Sequence, residues 1–196
     1  ASDECYSEIY PDEQHPPAGL LEAAATMGNT DYRHCLCFQS LSKRSNLPGL
    51  RSGFVAGDPH LIEQFRRYRT YHGCAMPPHH QIASEWAWSD ELHVRDNRAR
   101  YREKFAAVTP ILAPVLATPS PDAGFYLWPE TPTDDETFAQ HLLQHAGVKV
   151  LPGRYLARKT AAGNPGAHRV RLALVAELGQ CVEAAERIAH AVKSVG

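Results

Sequence analysis

The residues with most chemical potential lie in Ser40-Leu41-Ser42-Lys43-Arg44-Ser45-Asn46-Leu47-Pro48-Gly49-Leu50-Arg51-Ser52-Gly53. A lysine amine, once deprotonated, is a nucleophile that forms imines with carbonyl compounds. A lone loop lysine is ordinarily a solvated charge, but the neighbours of Lys43 change that reading. Ser40 and Ser42 precede it, and Arg51 follows it by eight residues across a Pro-Gly turn. Two hydroxyls and a planar guanidinium beside a turn make a cradle for a phosphate dianion. Upstream, Asp3 and Tyr6 of Asp3-Glu4-Cys5-Tyr6 pair a carboxylate with a phenol, a spacing that in isolation reads as a surface loop. Downstream, Arg169 and Arg171 sit two apart in His168-Arg169-Val170-Arg171-Leu172-Ala173-Leu174. Alternation puts both on one strand face, where either could grip a carboxylate through two parallel hydrogen bonds. The ordinary alternative is a solvated or ion-paired strand arginine.

The elements that must position these groups alternate in type, as expected of mixed α/β structure. Residues 18–27 read as a helix capped at Gly28-Asn29, 35–39 as a buried strand, 40–49 as a loop and 52–56 as a second strand. Asp58-Pro59 supplies an N-cap and a first-turn proline. Helical spacing then runs through 60–71, 79–88 and 91 to about 112, where Pro110 and Pro114 are expected to kink or end it. Beyond it follow a strand at 124–128, a helix at 134–146 closed by Gly147, a strand at 148–151 and a loop at 152–168. A strand at 169–175 and an amphipathic helix at 177–195 complete the pattern. A domain boundary is expected near residue 108, giving 1–107 and 108–196.

Composition narrows the function classes. The chain has 196 residues, 20 Lys+Arg against 22 Asp+Glu and 43% hydrophobic residues, enough to bury a core without disulfides or a structural metal. Near-balanced charge argues against a nucleic-acid surface or an anionic membrane as partner. No apolar run approaches the roughly eighteen residues of a membrane span. Cys5, Cys35, Cys37, Cys74 and Cys181 are odd in number and scattered, which fits a reducing, cytoplasmic setting.

Several further features carry ordinary readings. His141 and His145, four apart on a predicted helix, could share a metal, but exposed histidines on a polar face are commoner, so no metal is expected. His79-His80 and Cys35-x-Cys37 are read as structural. Arg95, Arg98, Arg100 and Arg102, interrupted by Asp96 and Glu103, read as a solvated helix face. Trp86 and Trp88 cannot share a helix face, so one is core or interface.

The segment S-x-S-K followed by P-G-x-R-x-G resembles the cofactor-lysine segment of class I aminotransferases, pyridoxal-phosphate enzymes of the aspartate aminotransferase fold. The resemblance implies that Lys43 carries the cofactor covalently, that Ser40 and Arg51 hold its phosphate, and that Ser42 is a further phosphate ligand. Asp3-Glu4-Cys5-Tyr6 matches the family's D-E-x-Y, forty residues before the lysine. It implies Asp3 as the partner of the pyridine nitrogen, which lets the ring absorb carbanion electrons, and Tyr6 as donor to the cofactor phenolate. Arg171 aligns with the arginine that takes the substrate α-carboxylate, with Arg169 the competing choice. Gly124 to Trp128 and Val150 to Arg154 also look like small-domain segments of the family.

These matches run in order from residue 3 to residue 175. The implied fold is α/β: the C-terminal part of the three-layer large domain of a PLP-dependent aminotransferase, followed by an α+β small domain. The first residue is not Met, and the resemblance sets it where a cofactor-contacting strand ends. It therefore implies a C-terminal portion of a longer protein, inactive alone and homodimeric when complete. The loops, Tyr68 to Pro77 among them, look most like the succinyldiaminopimelate transaminase group of bacterial lysine biosynthesis, with amino-acid and 2-oxo-acid substrates. The alternatives are another pyridoxal-phosphate reaction, such as a lyase, and an aminotransferase-like sensing domain of a transcription regulator.

Overall fold

The computed structural model describes residues 1–73 and 75–193, so Cys74 and the expected end of the last helix, residues 194–195, lie outside the described residues. Two compact units divide the chain: residues 1–99 with 122–124, and residues 100–121 with 125–196.

In the first unit, β1 (Ser2–Asp3), β2 (Leu36–Ser40) and β3 (Gly53–Gly57) form a three-stranded sheet in that order. β1 runs parallel to β2 with Asp3 opposite Phe38, and β3 runs antiparallel with Gly53 opposite Ser40. Helix α1 (Leu20–Thr26) ends at Gly28, whose φ of +84° is the left-handed conformation that stops helices. Its first N–H, on Leu20, is taken at 2.8 Å by Glu4 Oε1, whose Oε2 accepts from Gln39 Nε2 at 3.2 Å.

The stretch expected as a loop at 40–49 winds instead into one helical turn, α2 (Leu41–Arg44), and a 3-10 turn at Pro48–Leu50. The cause is local: Ser40 caps α2, its Oγ accepting from Ser42 N at 3.0 Å, and Leu41 is fully buried. Helices α3 (Pro59–Tyr71), α4 (Pro78–Ser89) and α5 (Leu92–Leu112) follow. Asp58 caps α3 through His60 N at 2.9 Å. Helix α5 runs through Pro110 and ends at Leu112, two residues before Pro114, near where the prolines are expected to stop it.

Arg98 corrects the reading of a solvated arginine face. It is only 5% exposed; Nε and NH2 each donate to Glu13 at 3.0 Å, NH1 donates to Glu8 Oε2 at 3.1 Å, and the guanidinium lies 4.4 Å over Tyr10. Helical spacing places Arg98 on α5 but says nothing of residues 8–13 folding against it. Trp88 packs edge-on against Phe54, with ring centroids 5.0 Å apart, while Trp86 is exposed.

The second unit is built on β4 (Tyr126–Leu127), β5 (Leu151–Pro152) and β6 (Val170–Ala173), all antiparallel, with β6 central. The flanking strands are shorter than their apolar runs suggest, because β6 offers only four residues and each neighbour pairs with two. Helix α6 (Asp135–His141) finishes in a π turn at Leu142–Ala146, closed by Gly147 at φ +60°. A 3-10 turn occupies Gly153–Leu156, and α7 (Leu178–Lys193) closes the unit. Leu127, Phe138, Leu142 and Val170 form the centre of its core, each with at most 1% exposed. Burial on this scale stabilises by about 1.5–3 kcal/mol per side chain. His141 Nε2 lies 3.3 Å from Ala191 O and its ring contacts that of His145; among the described residues no group of three or more His, Cys, Asp or Glu could hold a metal ion.

One buried carboxylate organises the loop after β5. Asp135 is fully buried; Oδ2 accepts from Arg154 N at 3.0 Å, and Oδ1 accepts from Arg154 Nε at 2.8 Å and His168 N at 3.4 Å. Asp135→Ala is expected to lower the unfolding free energy by about 3 kcal/mol, since it leaves Arg154 N–H, Arg154 Nε–H and His168 N–H without their buried acceptor. Glu136→Ala, which loses a partly exposed pair to Arg154 and an exposed hydrogen bond from the Tyr155 hydroxyl, should cost about 1 kcal/mol. Urea denaturation of the two variants checks the contrast.

Candidate active site

Parallel pairing sets the C-terminal ends of β1 and β2 at one edge of the first sheet, where loops of α/β proteins bind ligands. Asp3 ends β1 and leads into the turn at 5–8 that holds Cys5 and Tyr6. Ser40 ends β2 and leads into α2, which carries Ser42 and Lys43. β3 runs the other way and starts at this same edge, so Arg51 and Ser52 arrive there too. Gly53 makes that arrival possible, because a Cβ there would lie 2.5 Å from Gln39 O. Five of the expected site residues, with Tyr6 in the adjoining turn, are thus brought to one edge of one unit by strand order alone.

The hydroxyls of Ser40 and Ser42 lie 2.7 Å apart, and Ser40 Oγ also donates to Ser52 O at 3.2 Å. Arg51 has the left-handed backbone φ +54°, ψ +34°, uncommon for a residue with a Cβ, and its guanidinium donates to Pro48 O at 2.7 Å. That conformation costs about 1–2 kcal/mol. Lys43 is half-buried on α2, and its carbonyl accepts from Asn97 Nδ2 at 3.5 Å.

The acid beside this lysine is tuned to stay ionised. The Cys5 thiol and backbone N–H both donate to Asp3, the latter at 3.1 Å, and hold its pKa below the usual carboxylate value, against a smaller effect of burial. Reciprocally, burial and the Asp3 anion push the Cys5 thiol up to about 11, and the Lys43 ammonium opposes them. Tyr6 is half-buried, and its carbonyl accepts from Ile9 N at 3.0 Å.

In the second unit the two candidate arginines part company. Arg169 is engaged: NH1 donates to Trp128 O at 3.2 Å and NH2 to Glu130 Oε1 at 2.6 Å. Arg171 lies with its guanidinium 4.7 Å over Tyr126 and 5.6 Å over Phe125, and its Nε is buried with no hydrogen-bond partner among the described residues. Such an orphaned donor is a standing invitation to an anion.

A family model described as aminotransferase class I and II matches residues 1–188. The chain belongs to that family. A probable aminotransferase of Mycobacterium tuberculosis is 35% identical over 176 residues, covering 89% of this chain and 40% of the relative. The crystal structure of an aminotransferase from Neisseria meningitidis matches with a TM-score of 0.91 and 56% identity over 96% of this chain and 48% of that one. A probable N-succinyldiaminopimelate aminotransferase from Thermus thermophilus matches with a TM-score of 0.81 and 27% identity, again over 96% and 48%. The chain therefore spans about half the length of these aminotransferases or less, and its fold is the corresponding α/β part of theirs.

Class I aminotransferases depend on pyridoxal phosphate, and the residues present fit that group. An aspartate kept anionic suits a protonated pyridine nitrogen, paired serine hydroxyls and an arginine suit a phosphate, and the orphaned Arg171 Nε suits a carboxylate. Sequence reasoning missed Cys5 as the donor that tunes Asp3; its position inside D-E-x-Y was the available signal. It also missed Arg44, 4% exposed beside Lys43, which nothing in the local sequence marks.

The Asp3–Cys5–Lys43 neighbourhood can be tested without cofactor. Alkylation of Cys5 by iodoacetamide, followed by peptide mass spectrometry, should rise with a midpoint near pH 11. Asp3→Asn removes the anion and leaves only a weaker, neutral amide acceptor, and should lower that midpoint. Lys43→Ala removes the opposing cation and should raise it.

Proposed function

We propose that this sequence serves a pyridoxal-phosphate-dependent transaminase that passes an amino group to 2-oxoglutarate, with N-succinyl-LL-2,6-diaminopimelate as amino donor in bacterial lysine biosynthesis. The gathering of Asp3, Ser40, Ser42, Lys43 and Arg51 at one sheet edge carries the transaminase reading. The substrate reading rests on the loop resemblance and on the named activity of the similar Thermus thermophilus protein. Residues 1–107 are assigned to the cofactor-binding large domain and 108–196 to the small domain. The functional protein is proposed to be a cytoplasmic homodimer of the relatives' full length, and the present chain alone to lack turnover. Among the described residues no helix is long and apolar enough to cross a membrane.

When bound, pyridoxal phosphate supplies an electron sink for a carbanion at the substrate Cα. Ser40, Ser42 and Arg51 would hold its phosphate, and Tyr6 would donate to its phenolate oxygen. Asp3, ionised through its Cys5 hydrogen bonds, would keep the ring nitrogen protonated. Lys43 would be the attachment residue, and its Nζ would serve as the base toward the substrate Cα proton. Arg171, seated over the Tyr126 ring, would take the substrate carboxylate, while Arg169 keeps Glu130.

In a protein of the relatives' full length carrying this sequence, borohydride reduction with pyridoxal phosphate should fix the cofactor on the Lys43 peptide, as read by mass spectrometry. Lys43→Ala should abolish that adduct and cut turnover by at least about 10³-fold; retained turnover would sink the assignment. Steady-state kinetics should separate the arginines. Arg171→Ala is expected to lower kcat/KM by about 30-fold or more, as for loss of a buried charge-assisted pair. Arg169→Ala should change it by no more than about threefold.

A further inference from the structure

A four-residue helix such as α2 has the nucleation cost of a helix and almost none of its propagation, so the position of Lys43 must be imposed from outside. The three residues after Lys43 show from where. Arg44 NH1 donates to Ala87 O at 2.8 Å, its NH2 pairs with Glu91, and its guanidinium lies 5.1 Å over Trp88. Ser45 Oγ is 2.8 Å from His93 Nε2, and His93 Nδ1 is 2.5 Å from Asp90 Oδ2. Asn46 Nδ2 donates to Asn97 Oδ1 at 2.9 Å, and Asn97 Nδ2 donates to the Lys43 carbonyl at 3.5 Å. Every one of these partners belongs to the corner where α4 passes into α5.

The middle tie has a defined polarity. Asp90 Oδ1 accepts from Leu92 N at 3.0 Å, which fixes the carboxylate, and the His93 contact holds its pKa below the ordinary value. An ionised carboxylate on Nδ1 requires the proton there, and when the ring carries no second proton Nε2 accepts from the Ser45 hydroxyl. Ser45 is the C-cap of α2, its N–H donating to Leu41 O at 3.1 Å, so the tie ends on the residue that closes the turn.

We propose that Ser45, His93, Asp90 and Asn97 are positioning residues that hold the turn bearing Lys43 and thereby set how readily that lysine takes a carbonyl partner. The proposal rests on the reading of Lys43 as the attachment residue. They act on the turn through the Lys43 carbonyl and the side chains of Ser45 and Asn46. Because His93 is about one-third exposed, its replacement need not unfold the chain.

The test uses full-length protein and two variants. His93→Leu removes both hydrogen bonds, whereas His93→Gln keeps a side-chain amide that can reach Ser45. In the cofactor-free protein, His93→Leu should speed amide hydrogen exchange in residues 42–47 by about tenfold, as for loss of one buried hydrogen bond, while β2 and β3 exchange as in the parent. Borohydride-fixed pyridoxal phosphate on Lys43 at subsaturating cofactor should fall in parallel, and His93→Gln should recover both readouts to within about twofold. Unchanged exchange and fixation in His93→Leu would overturn the proposal. So would faster exchange throughout the first unit with no recovery by glutamine, the mark of a merely structural histidine. If the parent fixes no cofactor on Lys43, the functional reading fails, and the exchange measurement still decides whether this corner holds the turn.

Discussion

The parallel register of β1 on β2 is the constraint on which the first unit's chemistry depends. With Asp3 opposite Phe38, both strands end at the same edge, so the segments that carry Asp3 and Lys43, forty residues apart, both start from it, and both groups act on the Cys5 thiol. Antiparallel β3 then returns Arg51 to that edge, opposite Ser40. A shift of one residue in β2 would reverse which side chains face the core and would carry the Ser40 cap away from its partners. Two glycines guard this register: Gly53 passes close to Gln39 O, and at Gly57 a Cβ would stand 2.0 Å from Cys35 O.

Buried polar groups do the remaining fixing, and they do it in pairs. Arg98 with Glu8 and Glu13 ties the stretch after the first turn to α5. Asp135 with Arg154 ties α6 to the loop after β5. Each buried member meets partners that still reach solvent, so desolvation falls mainly on one ion of each set. Such arrangements add little net stability relative to a hydrophobic replacement, but they tolerate few alternative geometries.

How much of this is legible in the sequence depends on the range of the cause. Ser40, Lys43 and Arg51 lie within twelve residues, so the sequence alone offers them as one candidate phosphate cradle, and the strand order brings them to one edge. The helices also read well, because Asp58-Pro59 and Gly147 are local signals. The turn at 41–44 does not, since Ser, Asn, Pro and Gly around it weigh toward a loop and only the burial of Leu41 and the ties of Arg44 reverse that. Arg98 misleads for the same reason: its partners lie 85 to 90 residues away. Asp135 is indistinguishable by local pattern from Asp134 and Glu136, although it alone of the three is fully buried.

The aromatic seat of Arg171 has a further consequence. In the role proposed for it, a guanidinium seated 4.7 Å over Tyr126, with a buried N–H left open among the described residues, would recognise a planar anion by shape and charge and take no account of what is attached to it. An amino acid and an oxo acid differ at Cα and share the carboxylate. A group that reads only the shared feature gives both the same orientation, so whatever tells one molecule from another must be carried by other residues, which are free to diverge while this anchor stays constant.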